Sequence, residues 1–358
     1  MNDSDPVLEL IDVSRAFAQG AVRAVDRISL QVYPGEIVSL LGPSGCGKTT
    51  TMRMIAGLDL PTAGDIRLQG RSVVGIPPHR RNVGLVFQSL AAFPHLTVRE
   101  NVAFGLRMQG VARPLIADKV DRMLDLVQLP PRDFAGRFPR ELSGGQLQRV
   151  ALARTLVTEP AVVLFDEPMA ALDRRLRDYM SIELRNIQKR LGFAAIYVTH
   201  DQETASAMSD RLAIMQAGRI VQTGTPSEVY HAPSSRFVAD FLGDANFLVP
   251  QEVRPVDGAR SEIRLFDSTF TIADAAPETG GAPTVLLRPE HITLSPAPGV
   301  GAARGRIVTR QFKTGTYHWQ IALADGRQVI AQSSRDLPPG SPEVWLTIRT
   351  EHARLLRQ

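Results

Sequence analysis

Residues 37–49 read IVSLLGPSGCGKT, an apolar run, a glycine-rich turn, then a lysine and a threonine. Ile37 to Leu41 has the length and apolar character of a strand buried on both faces. GPSGCGKT, residues 42–49, fits the loop pattern G-x-x-x-x-G-K-[ST]. Gly42, Gly45 and Gly47 let the backbone turn so tightly that successive N–H groups face phosphate oxygens. The following TTTMRMIAGL starts a helix, whose N-terminus adds partial positive charge. Gly42, Pro43, Ser44, Gly45, Cys46, Gly47, Lys48, Thr49 and Thr50 are the expected phosphate cradle. Lys48 is expected on the β- and γ-phosphates, and the Thr49 hydroxyl on Mg²⁺.

Two more apolar runs end in polar residues. VVLFDEP, residues 162–168, reads as a strand closing on Asp166 and Glu167. Asp166 is expected to hold Mg²⁺ through water. Strand alternation points Glu167 to the other face, where it can polarise an attacking water. The same acidic pair otherwise serves as a helix cap. Ala194 to Thr199 reads as another buried strand, with His200 next.

Around these runs, Val7 to about Leu242 alternates apolar strands with helical periods, the pattern of an α/β unit. Leu176, Met180, Leu184, Ile187 and Leu191 predict a helix over 174–191, with Gly192 as its C-cap. Ile116, Val120, Met123, Leu124 and Val127 predict a second, inside a strandless stretch of about 90–158 read as an inserted helical subdomain. After Gly243 the texture becomes all-β, and Asp325-Gly326 predicts a hairpin. The boundary is placed near 240–245, giving units 1–242 and 243–358.

The chain has 358 residues, 44% hydrophobic and 22% charged, the balance of an ordinary globular protein. Lys plus Arg exceed Asp plus Glu by 41 − 37 = 4, which favours no partner class. The lone Cys46 rules out an internal disulfide. No run reaches the length of a spanning helix and the acidic start MNDSDP lacks a secretory pattern, so a cytoplasmic location is expected.

LSGGQ, residues 142–146, identifies the chain as resembling the ATP-binding-cassette family. Phe17, Gln88 in VFQS, LSGGQLQRVALAR, VVLFDEPMAALD and His200 in YVTHD follow in the family's order. The resemblance implies a P-loop NTPase domain with a helical insert, working as a homodimer on ATP and Mg²⁺. It implies that Phe17 stacks on adenine and that Gln88 contacts Mg²⁺ and water. Ser143, Gly144, Gly145 and Gln146 would meet the γ-phosphate held by the other copy. Asp173 would reach across the dimer or cap a helix, and His200 would hydrogen-bond the γ-phosphate. Glu167, His200 and Gln88 are thus the catalytic expectation, with Thr49, Gln88 and Asp166 around the metal.

VFQSLAAFPHLTVRENVAFGL (86–106) and PPHRRNVG (77–84) resemble importer ATPases for polyamines, ferric iron, phosphonates and sugars. FVADFLGDANFL (237–248) and LLRPEHI (286–292) resemble the linker and OB-like TOBE domain of that group. The implied partners are two transmembrane permease subunits and a periplasmic solute-binding protein, at the cytoplasmic face of a bacterial inner membrane. Spermidine/putrescine is the first cargo expected, with ferric iron and 2-aminoethylphosphonate as alternatives. A nucleic-acid role is the rival class, and no tandem cassette or coiled-coil insertion favours it. Leu147, Ala171 and SLAAFPH depart from the common pattern without removing a catalytic group.

Overall fold

The computed structural model describes residues 5–17, 22–87, 92–169, 172–257, 260–266, 268–272, 274, 283–299, 301–337 and 342–356. They divide into two compact units, one ending at Pro226 and one beginning at Ser227. The division falls ahead of the texture change at Gly243, because two short helices before it are fastened to the second unit.

The first unit opens with β1 (Leu8–Phe17), β2 (Val22–Val32), β3 (Ile37–Leu41), α1 (Lys48–Ala56), β4 (Ala63–Leu68), β5 (Arg71–Ser72) and β6 (Val83–Val86). Four helices follow, α2 (Val98–Met108), α3 (Arg113–Leu126), α4 (Pro131–Phe134) and α5 (Gly144–Leu156). It closes with β7 (Val162–Asp166), α6 (Arg174–Leu191), β8 (Ala194–Val198), α7 (Gln202–Met208), β9 (Arg211–Gln216) and β10 (Arg219–Gly224). An antiparallel sheet has the order β2-β1-β4-β5. The main sheet has the order β10-β9-β3-β8-β7-β6, parallel except for β10. Among the described residues no strand interrupts α2 to α5, so the insert is helical as the sequence predicts.

The strands β7, up to Phe165, and β8 are built of buried, mostly apolar residues because they serve two cores at once. Val162, Leu164, Ala194, Ile196 and Val198 face the core shared with β1, β2 and α1. Val163, Phe165, Ala195 and Tyr197 face the core of α2, α3, α5 and α6. Successive strand side chains alternate, so one strand pair bonds both layers. Burial of each of the larger aliphatic and phenylalanine side chains among these contributes about 1.5–3 kcal/mol. Against this sheet α6 runs between its Asp173 N-cap and Gly192, burying Met180, Leu184 and Ile187. No described helix is long and apolar enough to cross a membrane.

In the second unit, α8 (Pro226–His231) and α9 (Arg236–Phe241) precede β11 (Asn246–Leu248), β12 (Glu252–Asp257), β13 (Arg260–Leu265), β14 (Ser268–Ile272), β15 (Thr284–Leu287) and β16 (Ile292–Ser295). The chain ends with β17 (Ala303–Lys313), β18 (Thr316–Leu323), β19 (Gln328–Ser333), β20 (Glu343–Ile348) and β21 (Arg354–Leu356). Three small sheets, β11-β15-β21, β12-β13-β14 and β16-β20-β17-β18-β19, share one core that includes Leu265, Val285, Ile321 and Leu346. The predicted Asp325-Gly326 hairpin joins β18 to β19, and Asp325 Oδ1 accepts from the Arg327 N–H at 3.0 Å.

Buried Arg288 holds the two helices to these sheets. Its guanidinium donates to the carbonyls of Ala239, Gly243, Asp244 and Tyr230 at 2.8–3.2 Å and lies 4.1 Å over the Tyr230 ring. FVADFLGDANFL and LLRPEHI, separate stretches in the sequence, meet at this side chain. Asn246 adds a second tie, exchanging hydrogen bonds with the Ile330 backbone at 2.7 and 2.8 Å.

Candidate nucleotide site

Three neighbouring strands of the main sheet, β3, β8 and β7, point the same way and end side by side. Sites in α/β sheets form beyond such carboxyl ends. Here they deliver the glycine-rich loop, His200 and the acidic pair.

Two of the loop's glycines are forced by close packing, and the third, Gly45, by its positive φ of 80°. A Cβ on Gly42 (φ 158°) would lie 2.3 Å from the Met215 carbonyl oxygen, and one on Gly47 (φ 107°) 2.4 Å from that of Ala24. Buried Lys48 donates from Nζ to the carbonyls of Gly42 at 2.6 Å and Pro43 at 3.0 Å, so its ammonium sits inside the curl. No side chain caps α1 and its first turn carries no acid. The N–H donors of that helix start are therefore suited to an anion. The other end of α1 is closed by Arg81, which the sequence reading missed. It is buried, and its Nη1 donates to the Met54 and Ile55 carbonyls at 2.7 and 2.8 Å. A cation at a helix C-terminus also suits the helix dipole.

Asp166 ends β7. Burial, and then the neighbouring Glu167 charge, push its carboxyl above the ordinary range, with Arg53 opposing. Glu167 lies past the strand, in the left-handed region at φ 45°. The backbone turn, rather than strand alternation, therefore separates the two carboxyls. Holding a non-glycine residue there costs about 1–3 kcal/mol. Its N–H donates to the Val198 carbonyl at 2.9 Å, tying it to the end of β8. His200 Nδ1 donates to Glu167 Oε1 at 3.1 Å. A carboxylate only accepts, so Nδ1 carries the proton and Nε2 is left for another partner.

The histidine loop is braced from α6. Asp201 caps α7 through the Thr204 N–H and accepts from Arg177 Nη1 at 2.6 Å. Burial alone would raise the Asp201 carboxyl, but these hydrogen bonds hold it below its usual value. An aspartate before a short helical period is the signal that marks this cap in YVTHD.

Ser143 and Gln146 form a reciprocal capping box on α5. The Gln146 N–H donates to Ser143 Oγ at 3.3 Å and the Ser143 N–H to Gln146 Oε1 at 2.9 Å. Gln146 thus turns back on its own helix, leaving the Gly144 and Gly145 N–H groups at the helix start. Asp173 caps α6, accepting from the Leu176 N–H at 3.0 Å. Among the described residues no hydrogen bond joins either helix start to the phosphate loop of the same chain. Phe17 ends β1, partly exposed, with the Arg15 guanidinium 4.5 Å from its ring centre. Gln88, Ala171 and the SLA of SLAAFPH lie outside the described residues.

Comparison with known proteins places these features. The ABC transporter family matches residues 25–170 and the TOBE domain matches residues 285–356. The spermidine/putrescine import ATP-binding protein PotA of Thermobifida fusca is 44% identical, over 99% of this chain and 94% of that protein. The Fe(3+) ions import ATP-binding protein FbpC of Rhizobium etli is 45% identical, over 90% of each. Among solved structures, cbiO1 from Clostridium perfringens, part of the ABC transporter complex cbiONQ, is 30% identical with a TM-score of 0.58. It covers 63% of this chain and 91% of its own. A bacterial ABC transporter cassette solved as a dimer is 29% identical with a TM-score of 0.53, covering 61% of this chain and 98% of its own.

Proposed function

The chain belongs to the ABC transporter family, as an import ATP-binding protein with a C-terminal TOBE domain, and on that basis we propose that it energises polyamine uptake by hydrolysing ATP beyond the ends of β3, β8 and β7. The observation that carries the catalytic half is the meeting, on three adjacent strand ends, of the Lys48 loop, Asp166 and the Glu167–His200 pair.

In this reading the backbone N–H groups of the 42–50 loop, Pro43 having none, and the Lys48 ammonium hold the β- and γ-phosphates. Glu167 orients a water in line with the γ-phosphorus and takes its proton as the P–O bond forms. The bond to the bridging oxygen breaks, and ADP leaves with that electron pair. His200, fixed by Glu167 and the Asp201 brace, donates from Nε2 to the γ-phosphate when both ring nitrogens carry a proton, and Gln88 holds the water.

The oxygen donors fit Mg²⁺. Asp166 carries a carboxylate strained by burial and by Glu167, a repulsion that a divalent cation relieves. Thr49, Asp166 and Gln88 would hold the ion, which when bound neutralises charge on the phosphate oxygens.

Two copies share the work. The Gly144 and Gly145 N–H groups, with Ser143, meet the γ-phosphate in the other copy's loop, and Asp173 lies at the crossing. The paired ATPases act on two permease subunits at the cytoplasmic face, with a periplasmic binding protein presenting solute. Polyamine is preferred because the relative named for spermidine/putrescine import aligns over 99% of the chain and the ferric-iron relative over 90%.

The test compares uptake of labelled putrescine, spermidine and ferric iron in source cells carrying the parent chain or Glu167→Gln. Selective loss of polyamine uptake supports the reading. Loss of iron uptake alone transfers the assignment to iron, and unchanged uptake of all three removes both.

A further inference from the structure

Arg15 and Phe17 lie near the end of β1, where the pairing with β2 is irregular, and the Arg15 guanidinium sits over the Phe17 ring. With the guanidinium 4.5 Å from the ring centre, a cation covers one face of a partly exposed ring. Arg15 is tethered there. Its Nη2 donates to Asp59 Oδ1 at 3.1 Å, and its side chain is only 22% exposed. Asp59 accepts from Arg53 Nε at 3.3 Å on its second oxygen, and its own N–H donates to the Arg53 carbonyl at 3.2 Å. Arg53 lies on α1, whose first residue is Lys48. Contacts therefore run unbroken from the Phe17 ring to the helix that carries the phosphate loop.

We infer that Arg15 is a positioning residue for the nucleobase: it leaves one face of Phe17 for adenine and, through Asp59 and Arg53, fixes how far that face stands from the phosphate loop. This rests on the reading of Phe17 as the adenine platform. A guanidinium on one ring face draws π density towards itself, which makes the opposite face a better partner for an electron-rich purine. It also blocks stacking on the covered side. The ion pair to Asp59 holds the ring's neighbour in place, so Arg15 acts on the base through Phe17 without touching the phosphates.

The test uses the full chain and two ligands. ATP would engage both ends of the site, whereas inorganic tripolyphosphate, used as a competing probe without a base, would engage only the loop. Arg15→Ala should raise the KM for ATP about 3- to 10-fold, with kcat within about twofold and the tripolyphosphate Ki unchanged. Arg15→Lys, which keeps a cation and the Asp59 partner, should recover most of the loss. Combining Arg15→Ala with Phe17→Ala should be no worse than Phe17→Ala alone. An unchanged KM in Arg15→Ala, while Phe17→Ala raises it, overturns the inference and spares the platform. Equal weakening of ATP and tripolyphosphate assigns Arg15 a general structural role and also overturns it. If Phe17→Ala leaves the KM for ATP unaltered, the platform reading itself falls and takes the inference with it.

Discussion

His200 donates its Nδ1 proton to Glu167 across 3.1 Å, so the two side chains proposed for catalysis already orient each other. Neutralising the acid keeps the geometry and removes the base. Glu167→Gln is expected to lower kcat by about 10²- to 10⁴-fold while nucleotide binding persists. Single-turnover hydrolysis alongside equilibrium ATP binding measures both, and a variant turning over at the parent rate would strip Glu167 of its role.

The Asp166 carboxyl is raised in the folded chain, so between the unfolded and folded values the native state holds the extra proton. Stability then falls as pH rises through that window, and the cost is complete above it. Without nucleotide or divalent ions, Asp166→Asn should therefore melt higher than the parent at neutral pH. It should also lose the extra stabilisation that MgATP gives over ATP alone. A lower melting point for the variant contradicts the sign.

The Ser143–Gln146 box is both a helix cap and part of the signature. Ser143→Ala should cost about 1 kcal/mol through the lost cap, about 2–4 °C in Tm for a unit of this size. Ser143→Thr should keep most of the stability. Melting curves of the two variants against the parent settle the point, and equal midpoints for all three would show that the box adds nothing.

His291 is buried, stacked at 4.0 Å on His352, with His231 at 6.4 Å. Burial, with His352, His231 and Arg349, lowers its pKa from 6.5, and only Glu290 opposes. A lowered base is neutral in the native state, so its stability is present above the unfolded value and drains away as pH falls below it. The second unit should lose thermal stability on acidification from about pH 6.5. His291→Phe, which keeps a ring in the stack, should flatten that dependence, and an equally steep profile would show that other groups set it.

Arg288 serves four carbonyls from a buried position. Arg288→Ala leaves those acceptors unsatisfied and should cost about 3 kcal/mol or more. Limited proteolysis should then cut between Tyr230 and Asp244, and resistance equal to the parent's would show that the helices are held by something else.

Much of this was legible because periodicity and motif spacing are local. Ile37–Leu41, Val162–Phe165 and the helix over 174–191 follow from apolar runs and their stops, and the phosphate loop follows from its glycines. What stayed hidden depends on long-range contacts. Nothing beside Arg81 or Arg288 indicates that these charges turn inward, because all of their partners but the Ile76 carbonyl lie far along the chain. The left-handed turn at Glu167 was hidden too, since glutamate is not a residue that announces positive φ. The attachment of α8 and α9 was hidden for the same reason: composition changes at Gly243, but the two helices are held by an arginine that lies later in sequence.

The self-contained cap at the start of α5 has a bearing on kinetics. Its serine and glutamine complete each other within one chain, so the two glycine N–H groups are aimed before any partner arrives. In the proposed dimer, a second copy delivering a phosphate would meet groups already ordered by the cap, which lowers the entropy of ordering left for the moment of contact. Closure of the proposed dimer would then require no local refolding at this helix start.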